Sequence, residues 1–283
     1  MQPVTIGNIE ISRVEEMIWT ISPRYLFADV TYDDLEPHRD WLTPHFCTED
    51  LKLRLSIHTF VVRTPQHTIL IDTCIGNDRQ RDVPLWTNMQ TDYVDRLTAA
   101  GVNPQAVDYV FCTHLHVDHV GWNTHLKDGQ WVPTFPNANY LFHRTEWEHW
   151  KDSRDDNQAE VMNDSVLPIV NAGLATMVEQ DHMIADGIGL EFTPGHTPGH
   201  CSVHLTSQGN DAVITGDMIH HPMQVAEPQW TSRACVLPDL AIQTRTEFVQ
   251  RYADTSTLIL GTHFAPPTAL HIVSQGDSFR VRY

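Results

Sequence analysis

The sequence predicts an α+β fold in which two sheets pack face to face with helices outside them. Three observations point there. Apolar, β-branched runs come in groups rather than in strict alternation with helices. Helical spacing appears in a few separate segments. No repeat, low-complexity block or linker divides the 283 residues, so the whole chain, 1–283, is expected to form one domain, with residues 1–55 adding loops around a pocket.

The elements follow in order. "LRLSIHTFVVRT" and "HTILIDTCIG" are apolar runs separated by "PQ" and read as paired strands. "TDYVDRLTAAGV" has helical spacing and ends near a glycine. "VDYVFCTH" and "ANYLFH" read as strands. "RTEWEHW" reads as a helix start, with Thr145 and Glu148 at capping-box spacing. After a polar stretch over residues 151–158, "LEFTPGH", "CSVHLT" and "DAVITGD" read as strands, "TRTEFVQRYA" as a helix and "STLILGTH" as a further strand.

Bulk composition narrows the function. The formal charge is −18, from 18 Lys+Arg against 36 Asp+Glu. Such a surface repels phosphate backbones and anionic lipid, so no nucleic-acid or membrane partner is expected. The N-terminus shows neither a basic nor an apolar leader region, and no apolar run reaches the ~20 residues of a membrane span. Five scattered cysteines without a CxxC read as reduced thiols, hence a cytoplasmic protein. A chain whose leader had been removed would read the same way.

The chemistry is concentrated in four places. "FCTHLHVDHVGWN" packs three histidines and an aspartate into six positions behind an apolar strand. "TPGHTPGH", "ITGDMIHH" and "LILGTHFAPP" each place His or Asp just beyond another strand. Strand ends are rigid, and the loops that follow them can converge at one sheet edge. Convergence would gather His114, His116, Asp118, His119, His196, Asp217 and His263. Imidazole and carboxylate suit zinc and similar divalent ions. Seven groups exceed one tetrahedral ion, but two ions sharing one carboxylate use them all, and a water held between two such ions is a nucleophile at neutral pH. Most of the remaining histidines among the 18 read as surface or hydrogen-bonded core residues.

These motifs, in this order, resemble those of the metallo-β-lactamase superfamily across about residues 55–265. The resemblance implies an αββα sandwich with the site at the sheet edge. It implies that His114, His116 and His196 hold a first ion, that Asp118, His119 and His263 hold a second, and that Asp217 bridges them. Zinc is the expected ion, with manganese, cobalt or iron as alternatives. Asp217 sets the chain apart from true β-lactamases, and the short segment after His263 leaves no room for a glyoxalase II-type helical domain. The motifs look closest to the lactonase and methyl parathion hydrolase-like branch.

The expected activity is therefore hydrolysis of lactones or carboxylic esters by a metal-bridging hydroxide. Phosphotriester hydrolysis is the alternative, and a non-catalytic or iron-dependent protein is the competing class. Asp118 is expected to relay a proton to the leaving group. His220 stands where acyl-homoserine lactonases typically place a tyrosine, three residues after the bridging Asp, and is expected to donate a hydrogen bond to the substrate. Asp72 reads either as a hydrogen-bond partner of a ligand histidine or as a turn cap. His200, Cys112 and Cys201 read as structural. Trp19, Phe27, Phe46, Trp86, Trp122 and Trp230 are candidates for pocket walls, which favours a small, uncharged, partly hydrophobic substrate. A homodimer is left open.

Overall fold

The computed structural model describes residues 2–283. One seven-stranded sheet contains β1 (Val4–Ile6), β2 (Ile9–Ile21), β3 (Leu53–Arg63), β4 (Thr68–Ile71), β5 (Tyr109–Cys112), β8 (Asn139–His143) and β9 (Ala175–Val178), in that order. Strands β6 (Thr124–Lys127) and β7 (Gln130–Pro133) form a separate ribbon. The second sheet, also seven-stranded, runs β10 (Met183–Ala185), β11 (Ile188–Phe192), β12 (Cys201–Ser207), β13 (Asn210–Ile214), β14 (Leu258–Leu260), β15 (Ala269–Gln275) and β16 (Ser278–Arg282).

Three apolar clusters separate four layers. The middle one joins the sheets, with Phe60, Val62, Ile71 and Phe111 on one side meeting Val203, Leu205, Ile214 and Leu260 on the other. Alternate residues face outward: Val61, Val110 and Cys112 pack on helix α1 (Tyr93–Ala99) through Tyr93 and Leu97. Val213 and Ile259 pack under a long helix, Pro238–Tyr252, through Phe248 and Val249. Both faces of these strands are buried, which is why they read as near-continuous apolar runs. The arrangement is the expected αββα sandwich.

The structure departs from expectation in three places. Strands β4, β5, β8 and β9 run parallel to one another, so part of the first sheet does alternate with helices. The capping box is absent: helix Arg144–Trp150 starts directly off β8 with His143 at its N-cap and no side-chain cap, leaving Thr145 inside the first turn. Residues 9–21, not foreseen as a strand, form the long β2.

Candidate metal centre

Strand direction explains why distant segments meet. β4 and β5 are parallel neighbours, as are β13 and β14, so each pair delivers its C-terminal ends to one edge. β11 runs antiparallel to β12, which runs antiparallel to β13, so β11 ends at that edge too. From these ends hang Asp72 after β4, His114 and His116 after β5, His196 after β11, Asp217 after β13 and His263 after β14. Asp118 and His119 sit on the single helical turn Val117–Val120. In the Thr215–Asp217 turn, Gly216 has φ +54, and a Cβ there would fall 2.3 Å from His200 Nε2, so only glycine fits.

All seven expected groups come together, and Asp217 divides them. Its Oδ2 lies 3.5 Å from His196 Nε2 and 3.9 Å from His114 Nε2. His196 Nε2 is in turn 3.1 Å from His114 Nε2 and 2.9 Å from His116 Nδ1. Its Oδ1 lies 3.0 Å from His263 Nε2 and 3.3 Å from His119 Nε2. Asp118 completes that second set, 3.5 Å from His263 and 3.6 Å from His119.

These spacings fit two cations. Ligand atoms about 2.0–2.1 Å from a tetrahedral ion are about 3.3 Å apart, close to the separations within each set. Several of the atoms have no other use: His119 Nε2 and Asp217 Oδ1 are buried and lack any hydrogen-bond partner. Buried polar atoms are seldom left so, and a shared cation would satisfy them. Charge agrees. Burial pushes His114 and His196 well down and His116 to about 4, so their ring nitrogens are neutral donors. Burial also opposes charge on His119 and His263, yet Asp217 and its neighbouring carboxylates raise both, so negative charge is concentrated at this second set.

Outer partners orient the rings. His263 Nδ1 donates to Ser56 O at 3.0 Å, leaving Nε2 for the centre. Asp72 lies 3.0 Å from His119 Nδ1 and accepts from the backbone N–H of Thr113 at 2.8 Å, so it is a partner of the ligand loop and not merely a turn cap. His114 Nδ1 meets Thr113 Oγ1 at 3.2 Å, and His196 Nδ1 meets Cys235 Sγ at 3.5 Å. His200 is structural: its Nε2 accepts the Asp217 N–H at 2.8 Å. Cys112 and Cys201 are buried.

The sequence reading missed two buried groups. Glu146 accepts N–H bonds from Leu115 at 3.1 Å and Gly199 at 3.0 Å, tying the "HLH" and "HTPGH" loops together. Arg245 is buried without an acidic partner and donates to the carbonyls of Met218, Pro228 and Trp230, bracing the loop that carries Asp217 and His220.

A cavity of about 710 Å³ opens over the centre, bordered by His116, Asp118, Asp217, His220 and His263. Of the six aromatic candidates, only Trp19 and Trp86 line it, beside Tyr25, Leu55, Ile57 and Trp150. Phe27, Phe46 and Trp122 are core residues instead, and Trp230 packs against that core. The cavity arginines are partly committed elsewhere: Arg81 pairs with Asp164 at 2.8 Å, and Arg233 donates to the Arg24 and Ala28 carbonyls at 2.9 Å.

Fold and donor set together define a metal-binding αββα protein. The family model of the metallo-beta-lactamase superfamily matches residues 54–268, and the chain belongs to that superfamily. It is 26% identical over 178 residues to the N-acyl homoserine lactonase AiiA of Bacillus thuringiensis subsp. kurstaki, covering 58% of this chain and 64% of that one. The chain thus spans just under two thirds of the length of such relatives. The N-acyl homoserine lactonase AttM of Rhizobium radiobacter is 31% identical over 114 residues, 39% of this chain and 40% of that one. Among solved structures, the hydrolase AbOPH superposes with a TM-score of 0.81 at 25% identity, covering 99% of this chain and 95% of that one. AidC, a dizinc quorum-quenching lactonase, superposes with a TM-score of 0.80 at 20% identity, covering 99% and 96%, a likeness of fold. Among the described residues no helix is long and apolar enough to cross a membrane.

Proposed function

We propose that this chain is a dinuclear metal-dependent hydrolase that opens lactones or carboxylic esters carrying an uncharged, apolar tail. The observation that carries the reading is the division of the histidines between the two oxygens of Asp217 at the floor of an aromatic-walled cavity. Lactonase relatives favour the lactone among the two bond types. Phosphotriesters are the competing class, since they too are uncharged and offer an oxygen-rich electrophile to the same floor.

Two divalent ions, zinc suiting these donors best with manganese, cobalt or iron as alternatives, supply Lewis acidity and an activated water when bound. The chain's own residues do the rest. Trp19, Trp86 and Tyr25 hold the tail and exclude water from it. Asp118, partly exposed on the cavity wall, can take a proton and return it to the departing alkoxide. Ser56 and Thr113 keep the ring nitrogens of His263 and His114 turned inward, and the Asp72 carboxylate faces Nδ1 of His119.

The test is a substrate panel on chelated and reloaded protein: acyl-tailed γ- and δ-lactones, aryl esters and paraoxon-like triesters. Turnover of lactones or esters that depends on added Zn²⁺, Mn²⁺ or Co²⁺ is expected. Cleavage of triesters alone would favour the competing class, and no cleavage of any member would overturn the hydrolase reading.

A further inference from the structure

The expected part for His220, a hydrogen bond to a substrate oxygen, requires its ring nitrogen to be spare. Instead Nε2 sits 3.2 Å from Asp217 Oδ2, the oxygen that faces His114 and His196. The contact lacks hydrogen-bond geometry, and neither nitrogen of the ring has any hydrogen-bond partner although the residue is only 4% exposed. A cation placed beside both Nε2 and Asp217 Oδ2 would satisfy the buried ring nitrogen. The ligating atoms of His196, Asp217 and His220 all lie within 4.8 Å of one another. The rings of His196 and His220 stand 4.7 Å apart, about the 4.6 Å that separates His114 from His196. The backbone is held for this placement: the His220 N–H donates to Gln224 Oε1 at 2.8 Å, and Arg245 donates to Met218 O at 3.1 Å.

We propose that His220 is an additional protein ligand of the first ion, joining His114, His116, His196 and Asp217. The proposal rests on the two-ion reading above. It makes the two halves of the centre unequal: the first set has five protein donors, whereas Asp118, His119 and His263 with Asp217 make four. Replacing a phenol by imidazole at this position then changes the coordination of the metal rather than exchanging one hydrogen-bond donor for another.

Apo-protein prepared with a chelator is titrated with Co²⁺ and followed by visible absorption and equilibrium dialysis, for the wild type, His220→Phe and His220→Asn. The wild type is expected to take up two equivalents. In both variants one equivalent should bind at least about tenfold more weakly, since even outer partners of metal ligands contribute 10- to 100-fold. The absorption of that equivalent should strengthen as its cobalt loses one ligand. Far-UV circular dichroism checks folding, and if His220→Phe loses the native spectrum, His220→Asn decides. Unchanged affinity and spectrum in a folded variant overturn the ligand role while leaving the two-ion centre intact. A wild type that binds no cobalt overturns the two-ion reading, and the ligand role with it.

Discussion

Glu146 accepts the backbone N–H of Gly199 at 3.0 Å, and its other oxygen takes the N–H of Leu115 at 3.1 Å and the indole of Trp150 at 2.6 Å. Leu115 lies between His114 and His116, and Gly199 lies three residues past His196, so one carboxylate spans both loops of the first histidine set. A Cβ on Gly199 would fall 2.3 Å from Glu146 N, which leaves the approach open to glycine alone. Burial pushes the Glu146 carboxyl upward and the N–H donors oppose it. Glu146→Ala would orphan two buried backbone donors, each costing roughly 1–3 kcal/mol, and free the half-buried Trp150 indole. A fall in stability of at least about 2 kcal/mol is expected by urea denaturation, together with weaker zinc retention. Unchanged zinc retention in a folded Glu146→Gln protein, whose amide cannot accept from all three donors, would refute the loop-tying role.

Asp217 is the one residue facing both histidine sets, so its loss should affect both ions together. Asp217→Ala is expected to lower metal content well below that of the wild type and to reduce turnover by orders of magnitude. Elemental analysis after dialysis, alongside lactone and ester assays, checks it. Two retained ions and full turnover would contradict a bridging carboxylate.

How much of this was legible beforehand depended on where each side chain's partners lie. The ligand motifs were legible because few structural needs put three imidazoles and a carboxylate into six positions, and because each motif ends a plainly apolar strand. Strand β2 was hidden by its own geometry. It starts with Ile9 and Ile11 facing the other sheet, but Val14 packs on the opposite face and the register then shifts between Glu15 and Met17, so no single period of two runs along it. Glu16, at that shift, lies on the same buried face as Val14 and accepts from Ile75 N at 2.8 Å and Trp122 Nε1 at 2.7 Å. Glu146 was equally invisible, since its partners are backbone amides 31 and 53 residues away. The aromatic candidates divided between wall and core according to the way short helices and loops turn them, a choice with no trace in local pattern. Phe27, the C-cap of the turn Pro23–Leu26, points into the core, while Tyr25 within that turn faces the cavity.

His221 gives stability a pH dependence apart from metal binding. Its Nε2 donates to Phe46 O at 2.9 Å and its Nδ1 accepts from Met223 N at 3.2 Å, so the neutral ring is fully used. Burial lowers it to about 4 from 6.5. The folded state therefore binds fewer protons than the unfolded one between those values. Stability is complete above pH 6.5 and declines as pH falls toward about 4, by roughly 3 kcal/mol for this group alone. His221→Gln should shift stability overall but flatten the slope in that window by up to about 1.4 kcal/mol per pH unit. Urea unfolding of chelated protein from pH 7.5 to 4.5 measures both slopes, and identical slopes would rule out the assignment.

Trp19 and Trp86 lie with ring centroids 4.7 Å apart on the cavity wall, and Tyr25 meets Trp19 edge-on at 5.1 Å. None of these rings belongs to either histidine set, so their contribution should be to the substrate tail and not to bond cleavage. Removing one aromatic face from an apolar tail costs about 1–2 kcal/mol, which is roughly tenfold in relative rate. Trp86→Ala should lower kcat/KM for a lactone with a long acyl tail by about that factor while leaving an unsubstituted γ-lactone nearly unaffected. A uniform loss on both substrates would instead indicate that the substitution disturbs the floor of the cavity. Unchanged kcat/KM on both substrates would mean that the tail lies along another part of the wall, such as Leu55 and Ile57 on β3.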